Sequence, residues 1–584
     1  MKNINIFFLG AFASLTLISC NKEQEPQYYN SFEGITESET SKTTIDGLAI
    51  NWVKDDEIQI ATSTTPEGLP YKATTGGSTS TSFVPVSDEV TDSEYYAAFY
   101  PAGKFLDFDF SDIIFYGNIP AIQATTVSSL PMIAYSSSTK LQFKNAGSVL
   151  RVNVAVPTGG SMDIASISVI ADKAIVGDIK VDYNEGAPII TTSTLSSAEA
   201  SNTVTLIVNE TITATKAYDI VVMPETYIAT FVVTLKSGVK LTWPDKEISL
   251  ERSKVMKANT TYGSTLLVDL TDAPANCIIA PVGATYKFKA VKGNTSTSVG
   301  EVNGQPYVLW STYNTTTAPS TDCEIIKGGD DAPSIDANGI ITVKTTGTSG
   351  NAVVAVKNSS DEIIWSWHIW CSDYKGTLYT IPSGKNIMDR NLGALSAVGG
   401  TVESLGFFYQ YGRKDPFVAS SSVSLNKQDV AVRGEAINLA NVEDGRATPS
   451  DAVGNPTTFW YGKENWCIED EPSRWDGDAK NVNDPCPAGY RIPDKNSFQE
   501  FTTANLFYES VMWKYTENEN VYFYMGHRDY SGAVTGMTGQ SANVWTSDHE
   551  SYKNAKYFRI TLENVFVSSQ VRSCGLYVRC ISEE

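Results

Sequence analysis

Between residues 30 and 270 the apolar residues of this chain never hold the 3.6-residue period of a helix over a convincing length. That constrains the fold more than any other feature. In place of helices come short β-branched or aromatic runs closed by proline and glycine. "KTTIDGLAINWVKDDEIQIAT" (42–62) has an Asp46-Gly47 turn, then Ile50-Asn51-Trp52, then alternation at Ile58 and Ile60. "EYYAAFYPAG" (94–103) and "VLRVNVAVPTGG" (149–160) repeat the theme, and "YDIVVMPETYIATFVVTLKSGVKLTW" (218–243) reads as two or three consecutive strands. The expectation is an all-β region of two sandwich-like halves, with a border near 140 to 150.

At 584 residues the chain holds about three to five domains. Its 66 acidic and 44 basic residues give a net charge of −22, which argues against nucleic acid as a partner. An aromatic content of 11% is too high for a disordered acidic chain.

The N-terminus reads as a removed segment. Met1-Lys2 precedes an apolar run from Ile4 to Ile18, too short and too early for a membrane span, which predicts a signal peptide over 1–19. It ends in "LTLISC", which resembles a bacterial lipobox. That resemblance implies lipidation of Cys20, an anchor in the outer membrane and a polar tether over 20–40. Seven further cysteines stand at 277, 323, 371, 467, 486, 574 and 580. In an oxidising compartment they can pair, and an odd number leaves at least one unpaired within the chain.

Residues 30–270 resemble the fimbrillin family, the lipoprotein-derived subunits of type V pili. The resemblance is carried by Thr43-Thr44, Trp52, Asp56-Glu57-Ile58, Gly76-Gly77 with Phe83, Tyr96 to Pro101, and the closing "SKVMKANTTYGSTLLVDL" (253–270). It implies tandem transthyretin-like β-sandwiches over 41–145 and 146–272, and other fimbrial subunits as partners. Assembly in that family resembles donor-strand complementation: processing removes a first strand, and a neighbour's extended segment fills the groove. Residues 1–150 contain no arginine, so Lys42 is the candidate processing position.

Residues 273–374 resemble bacterial Ig-like modules. Asn338-Gly339 signals a hairpin. Period two places Trp365, Trp367 and Ile369 on one face, expected to be core, and His368 on the opposite face, expected at a surface or interface.

Residues 375–584 differ, being rich in Trp, Tyr, Gly and Asp. "NIMDRNLGALSAVGG", "LGFFYQYGRKDPF", "NDPCPAGYRIPDKNSFQEF" (483–501) and "SCGLYVRCI" follow in order. The set resembles the FISUMP-type major paralogous domain, related to the C-type-lectin-like and formylglycine-generating-enzyme superfold, and implies an α+β domain. Asp494 is expected to cap a helix over about Lys495 to Ala504, with Phe498 and Phe501 on its buried face. Pro485 and Pro487 hold the backbone around Cys486, and its sequence neighbours favour a structural thiol or disulfide over a reactive one. Four cysteines allow three pairings; the superfold implies Cys486 with Cys580, leaving Cys467 with Cys574.

A glycan site in this region would need aromatic faces beside carboxylates. The candidates are Trp466, Trp475 and Trp545 with Asp476 and Asp478. "IEDEPSRWDGD" (468–478) is dense enough in acids to suggest Ca²⁺, but Glu471-Pro472-Ser473 only half matches the lectin triplet, so a solvated acidic loop is expected and no cofactor is assigned. No His-Glu-x-x-His, Walker loop or Gly-x-Ser-x-Gly elbow occurs, and no enzyme activity is expected. The expected function is a surface-exposed outer-membrane fimbrial subunit, released into a fimbrium after processing. Because it closes on a disulfide-bearing domain, a tip adhesin for a host or microbial glycan or protein is expected. The alternative is a surface glycan-binding lipoprotein that never polymerises.

Overall fold

The computed structural model of the chain describes residues 31–37, 50–124, 130–156, 161–183, 188–192, 200–261, 266–280, 282–312, 325–372, 374, 376–399, 401–418, 432–434, 437–509, 512–524, 526–535 and 541–583. The fold is mainly β, and the α-helix of the described residues is the six-residue Pro449–Gly454, opened by a capping box at Thr448. No helix among them is long and apolar enough to cross a membrane. Two compact units form. The first takes residues to Tyr116, Met132–Asn145 and Asp182–Ile189, and the second takes Gly117–Pro131, Ala146–Val181 and Ile190 onward.

Seven strands close the first unit into a barrel: β1 (Phe32–Thr36), β2 (Glu57–Thr62), β3 (Thr65–Ala73), β4 (Ser80–Pro85), β5 (Tyr96–Tyr100), β6 (Met132–Ser136) and β7 (Lys140–Asn145). Their order is β1-β7-β6-β5-β2-β3-β4, and β4 returns to β1. Alternation drives this. Ile58 and Ile60, Tyr71 and Ala73, and Leu141 and Phe143 all point inward and are buried. Trp52 fills the centre, edge-on to Phe83 at 4.9 Å and Phe143 at 5.1 Å. A closed barrel thus replaces the expected sandwich over 41–145. It also begins earlier, because Phe32–Thr36, read from sequence as tether, alternates inward at Phe32, Gly34 and Thr36.

In the second unit a nine-stranded sheet includes Thr203–Ile212, Met162–Ala171, Thr226–Leu235, Lys240–Ser249, Leu267–Asp269, Thr285–Lys289 and Ile340–Lys344. Met162 and Ile164 face the core, a bulge follows, and Ile167, Val169 and Ala171 then take over on the other parity. The Asn338-Gly339 turn, with Gly339 at φ 73°, joins Ser334–Ile335 to Ile340–Lys344 within this sheet. The two strands that follow, Gly350–Lys357 and Ile363–Cys371, belong to a separate five-stranded sheet. Residues 273–374 thus contribute strands to two sheets.

No packing boundary falls at 374. Cys277, Trp310, Val353 and Trp370 share one core with Met388, Leu392, Phe407, Trp475, Trp545 and Cys580. Trp365, Trp367 and Ile369 are buried as the alternation requires. His368 is buried too, against the expectation of a surface position. Its Nε2 lies 2.8 Å from Asn351 Oδ1, and burial lowers its pKa to about 3, so it is neutral. The sheet is covered on both faces, so period two cannot mark an exposed side.

The described residues of 375–584 hold the one short α-helix, Pro449–Gly454, and are otherwise sheets joined by turns. Asp494 does cap, accepting from Ser497 N at 2.9 Å, but only a 3₁₀ turn over Lys495–Phe498 follows. Phe501 N bonds Phe498 O, and Asn505 Oδ1 takes Thr502 N, so the chain continues in tight turns while Phe498 and Phe501 still bury.

The stretch 483–501 is a crossroads. Asp484 accepts from Cys486 N at 2.7 Å and Ile492 N at 3.1 Å. Lys480 Nζ donates to Cys486 O at 2.7 Å and to Tyr490 O at 2.6 Å, and Asn276 Nδ2 donates to Asp484 O at 2.9 Å. Cys486 is joined to Cys580 across 94 residues. Changing both cysteines to serine should cost about 4.7 kcal/mol from the opened loop alone. Guanidinium unfolding of the double variant checks this; an unmoved midpoint would contradict it.

Candidate functional site

The site is the groove that β1 fills. Its five residues, FEGIT, alternate Phe32, Gly34 and Thr36 inward with Glu33 and Ile35 outward. On one side β1 pairs parallel with β7, from Glu33 opposite Lys140 to Thr36 opposite Phe143. On the other it pairs antiparallel with β4, from Phe32 opposite Phe83 to Ile35 opposite Ser80. Both neighbours are distant in sequence, so β1 belongs to the barrel by pairing alone.

Each inward position has a distinct fit. Phe32 packs edge-on against Tyr71 at 5.3 Å and Tyr96 at 4.9 Å. Gly34 lies flat beneath Phe83, where an added Cβ would come within 2.4 Å of that ring and 3.3 Å of Phe143. Its carbonyl accepts from Trp52 Nε1 at 3.2 Å. Thr36 Oγ1 donates to Ile50 O at 3.1 Å. Outside, Lys140 and Glu33 approach to 3.7 Å, an exposed pair that contributes little. Burying Phe32 stabilises by about 2 kcal/mol. Each ladder hydrogen bond adds about 1 kcal/mol. An emptied groove would leave two strand edges and the Trp52 cluster in water, a surface that invites another strand.

Sequence reasoning missed Phe32 and Gly34. The signal was present as period-two alternation in FEGIT, obscured by the polar residues before it. Cys20 and Lys42 lie outside the described residues. Lys42 falls in sequence between β1 and Ile50.

The C-terminal candidates fare differently. Trp466, Trp475 and Trp545 are all buried, at 1% or less exposure, and form no open glycan face. Their indole N–H groups are spent on Tyr411 O, Asn483 O and Tyr409 O, which marks them as core. Asp476 Oδ1 accepts from Asp478 N at 2.9 Å in a local turn. The expected Cys467–Cys574 bridge does not form. Cys467 sits in the Trp460–Trp466 cluster with Arg474 Nη2 at 3.2 Å, whereas Cys574 sits in the core around Trp545. Burial pushes both thiols up, the opposite of what a thiolate nucleophile needs. The acids of 469–471 face arginines: Glu471 lies 3.6 Å from Arg474, and Asp470 lies 3.2 Å from Arg572. Among the described residues no group of three His, Cys, Asp or Glu is placed to hold a metal.

No protein-family model matches the chain, and no curated protein does. Among solved structures it is similar to a fimbrial protein from Bacteroides ovatus, at 11% identity and a TM-score of 0.26, covering 94% of this chain and 97% of that one. It is also similar to a C-terminally truncated tip fimbrial protein, Mfa3, from Porphyromonas gingivalis, at 10% identity and a TM-score of 0.20, covering 41% of this chain and 94% of that one. Scores this low assign neither fold nor function.

Gly34→Val should drive a methyl-bearing side chain into Phe83 and cost roughly 3 kcal/mol. The expected result is a lowered unfolding midpoint and early proteolytic loss of β1. A variant with wild-type midpoint and protection would show that the groove tolerates any residue there.

Proposed function

We propose that this chain is a lipid-anchored subunit of a cell-surface fimbrium, built to exchange β1 for an extended strand of a neighbouring subunit. The observation that carries the reading is the placement of β1. It closes the barrel through pairing on both edges, and the sequence that follows it contains Lys42. In this reading Cys20 carries the lipid at the outer membrane. Cleavage after Lys42 then removes lipid and β1 together, and the groove takes a strand from the partner. That strand must place a large apolar residue at the Phe32 position and glycine two residues later. The lectin-like motif order of 375–584 supports an adhesive role toward a host or microbial glycan or protein, with a tip position in the fimbrium and no enzymatic chemistry.

A second reading is favoured by one observation: the first arginine is Arg151, so an arginine-specific protease has no target before the barrel. The chain would then stay lipidated as a non-polymerising, glycan-binding surface lipoprotein. Intact mass and N-terminal sequencing of protein recovered from its own cell surface separate the two. A start at Thr43 without lipid is expected for the assembling subunit; a start at lipidated Cys20 would contradict it.

A further inference from the structure

A pocket of about 210 Å³ opens in the second unit, lined among others by Trp365, Trp466, Ala452, Arg413, Lys414 and Arg474, with Glu471 at its side. One water needs about 10–15 Å³ of such space, so the pocket is far larger than a lone carboxylate needs.

Three cations line it. Lys414 is fully used: its Nζ donates to Ser366 O at 3.0 Å, Ser366 Oγ at 2.5 Å and Asp415 Oδ1 at 2.5 Å. Arg413 is nearly so, with donations to Gln410 Oε1, Thr458 O, Ala452 O and Asn455 O. Arg474 is not. Its side chain is 4% exposed, yet its charged partners are long and solvated: Glu471 at 3.6 Å and 50% exposed, Glu469 at 3.9 Å and 57% exposed. Its Nη2 donates to Cys467 Sγ at 3.2 Å, and its Nε has no hydrogen-bond partner. Its face stacks on Trp466 at 5.2 Å, and both carboxylates stand at ion-pair but not hydrogen-bond distance, so a planar oxyanion would complete its hydrogen bonding. The other walls are Asp415, already bonded to Lys414, then Asn483, and the apolar Pro449, Val453 and Val482.

The geometry points to a binding site for a single carboxylate-bearing sugar residue, its carboxylate on Arg474 and its ring against the partly exposed Pro449, Val453 and Val482. A neutral sugar leaves the guanidinium unsatisfied, and a bare carboxylate leaves most of the volume empty. Glu471 competes with the ligand for Arg474. The inference names a ligand class for the adhesive part of the fimbrial reading and rests on that reading for where such a ligand is met. The binding test does not depend on β1 exchange.

Isothermal titration of the full chain with glucuronate, glucose, acetate and N-acetyl-aspartate N-methylamide tests it. Glucuronate should bind and glucose should not. Arg474→Gln should weaken glucuronate about tenfold or more. Glu471→Gln, at an exposed side chain, should tighten it about threefold and keeps the test valid if the arginine variant fails to fold. Four results would each overturn the assignment: no glucuronate binding to wild type or Glu471→Gln, glucose binding equally, acetate binding as tightly, or tighter binding of the aspartate amide, which would indicate a protein ligand. Failure here with Thr43 as the natural N-terminus would leave the assembly reading intact.

Discussion

The pairing of β1 with both β4 and β7 governs the N-terminal unit. A seven-stranded barrel has no free edge only while all seven ladders are made, and β1 supplies two of them. The aromatic cluster of Trp52, Phe83 and Phe143 sits directly beneath it. Removing the strand therefore exposes backbone edges and apolar rings at one place. Hydrogen bonds and hydrophobic burial point to the same remedy, another extended segment in the same register. The glycine under Phe83 makes that remedy selective, because the ring leaves no room for a Cβ.

The second unit is stabilised by different means. Its core runs from the strands around Cys277 and Trp370 through the residues around Trp475 and Cys580, so segments with separate sequence signatures fold as one body. The buried charges follow from this continuity. Asp484 and Lys480 bind backbone groups where three segments meet, and Arg579 donates to Met388 O and Tyr522 O at 2.8 Å each. Such groups are tolerated inside only because each serves several partners. Arg474 makes fewer hydrogen bonds than Lys480 or Asp484, and it borders the pocket.

Strand-rich character was legible in the sequence because period-two alternation at Ile58 and Ile60, or at Trp365, Trp367 and Ile369, reports burial directly. The turn at Asn338-Gly339 was legible for its left-handed glycine. Three things were not. The aromatic content near 466–475 suggested an exposed face, but indole N–H groups that meet backbone carbonyls bury just as readily. The helix after Asp494 was read from its cap, yet a cap fixes only the first turn. The closing strand was lost to a polar neighbourhood, since two partners 45 to 107 residues away decide its fate and no local pattern records them. The charged triplet Arg413-Lys414-Asp415, set within aromatic residues, was the one sequence hint of the pocket.

The central claim, that β1 is a replaceable strand, is tested most directly by complementation. A chain beginning at Thr43 and running to Glu584 is mixed with a peptide of residues 29–38, and binding is followed by fluorescence anisotropy of the labelled peptide. The account requires saturable binding that stabilises the shortened chain, and no binding by the peptide carrying Gly34→Val. A shortened chain as stable as the full one and indifferent to the peptide would contradict it.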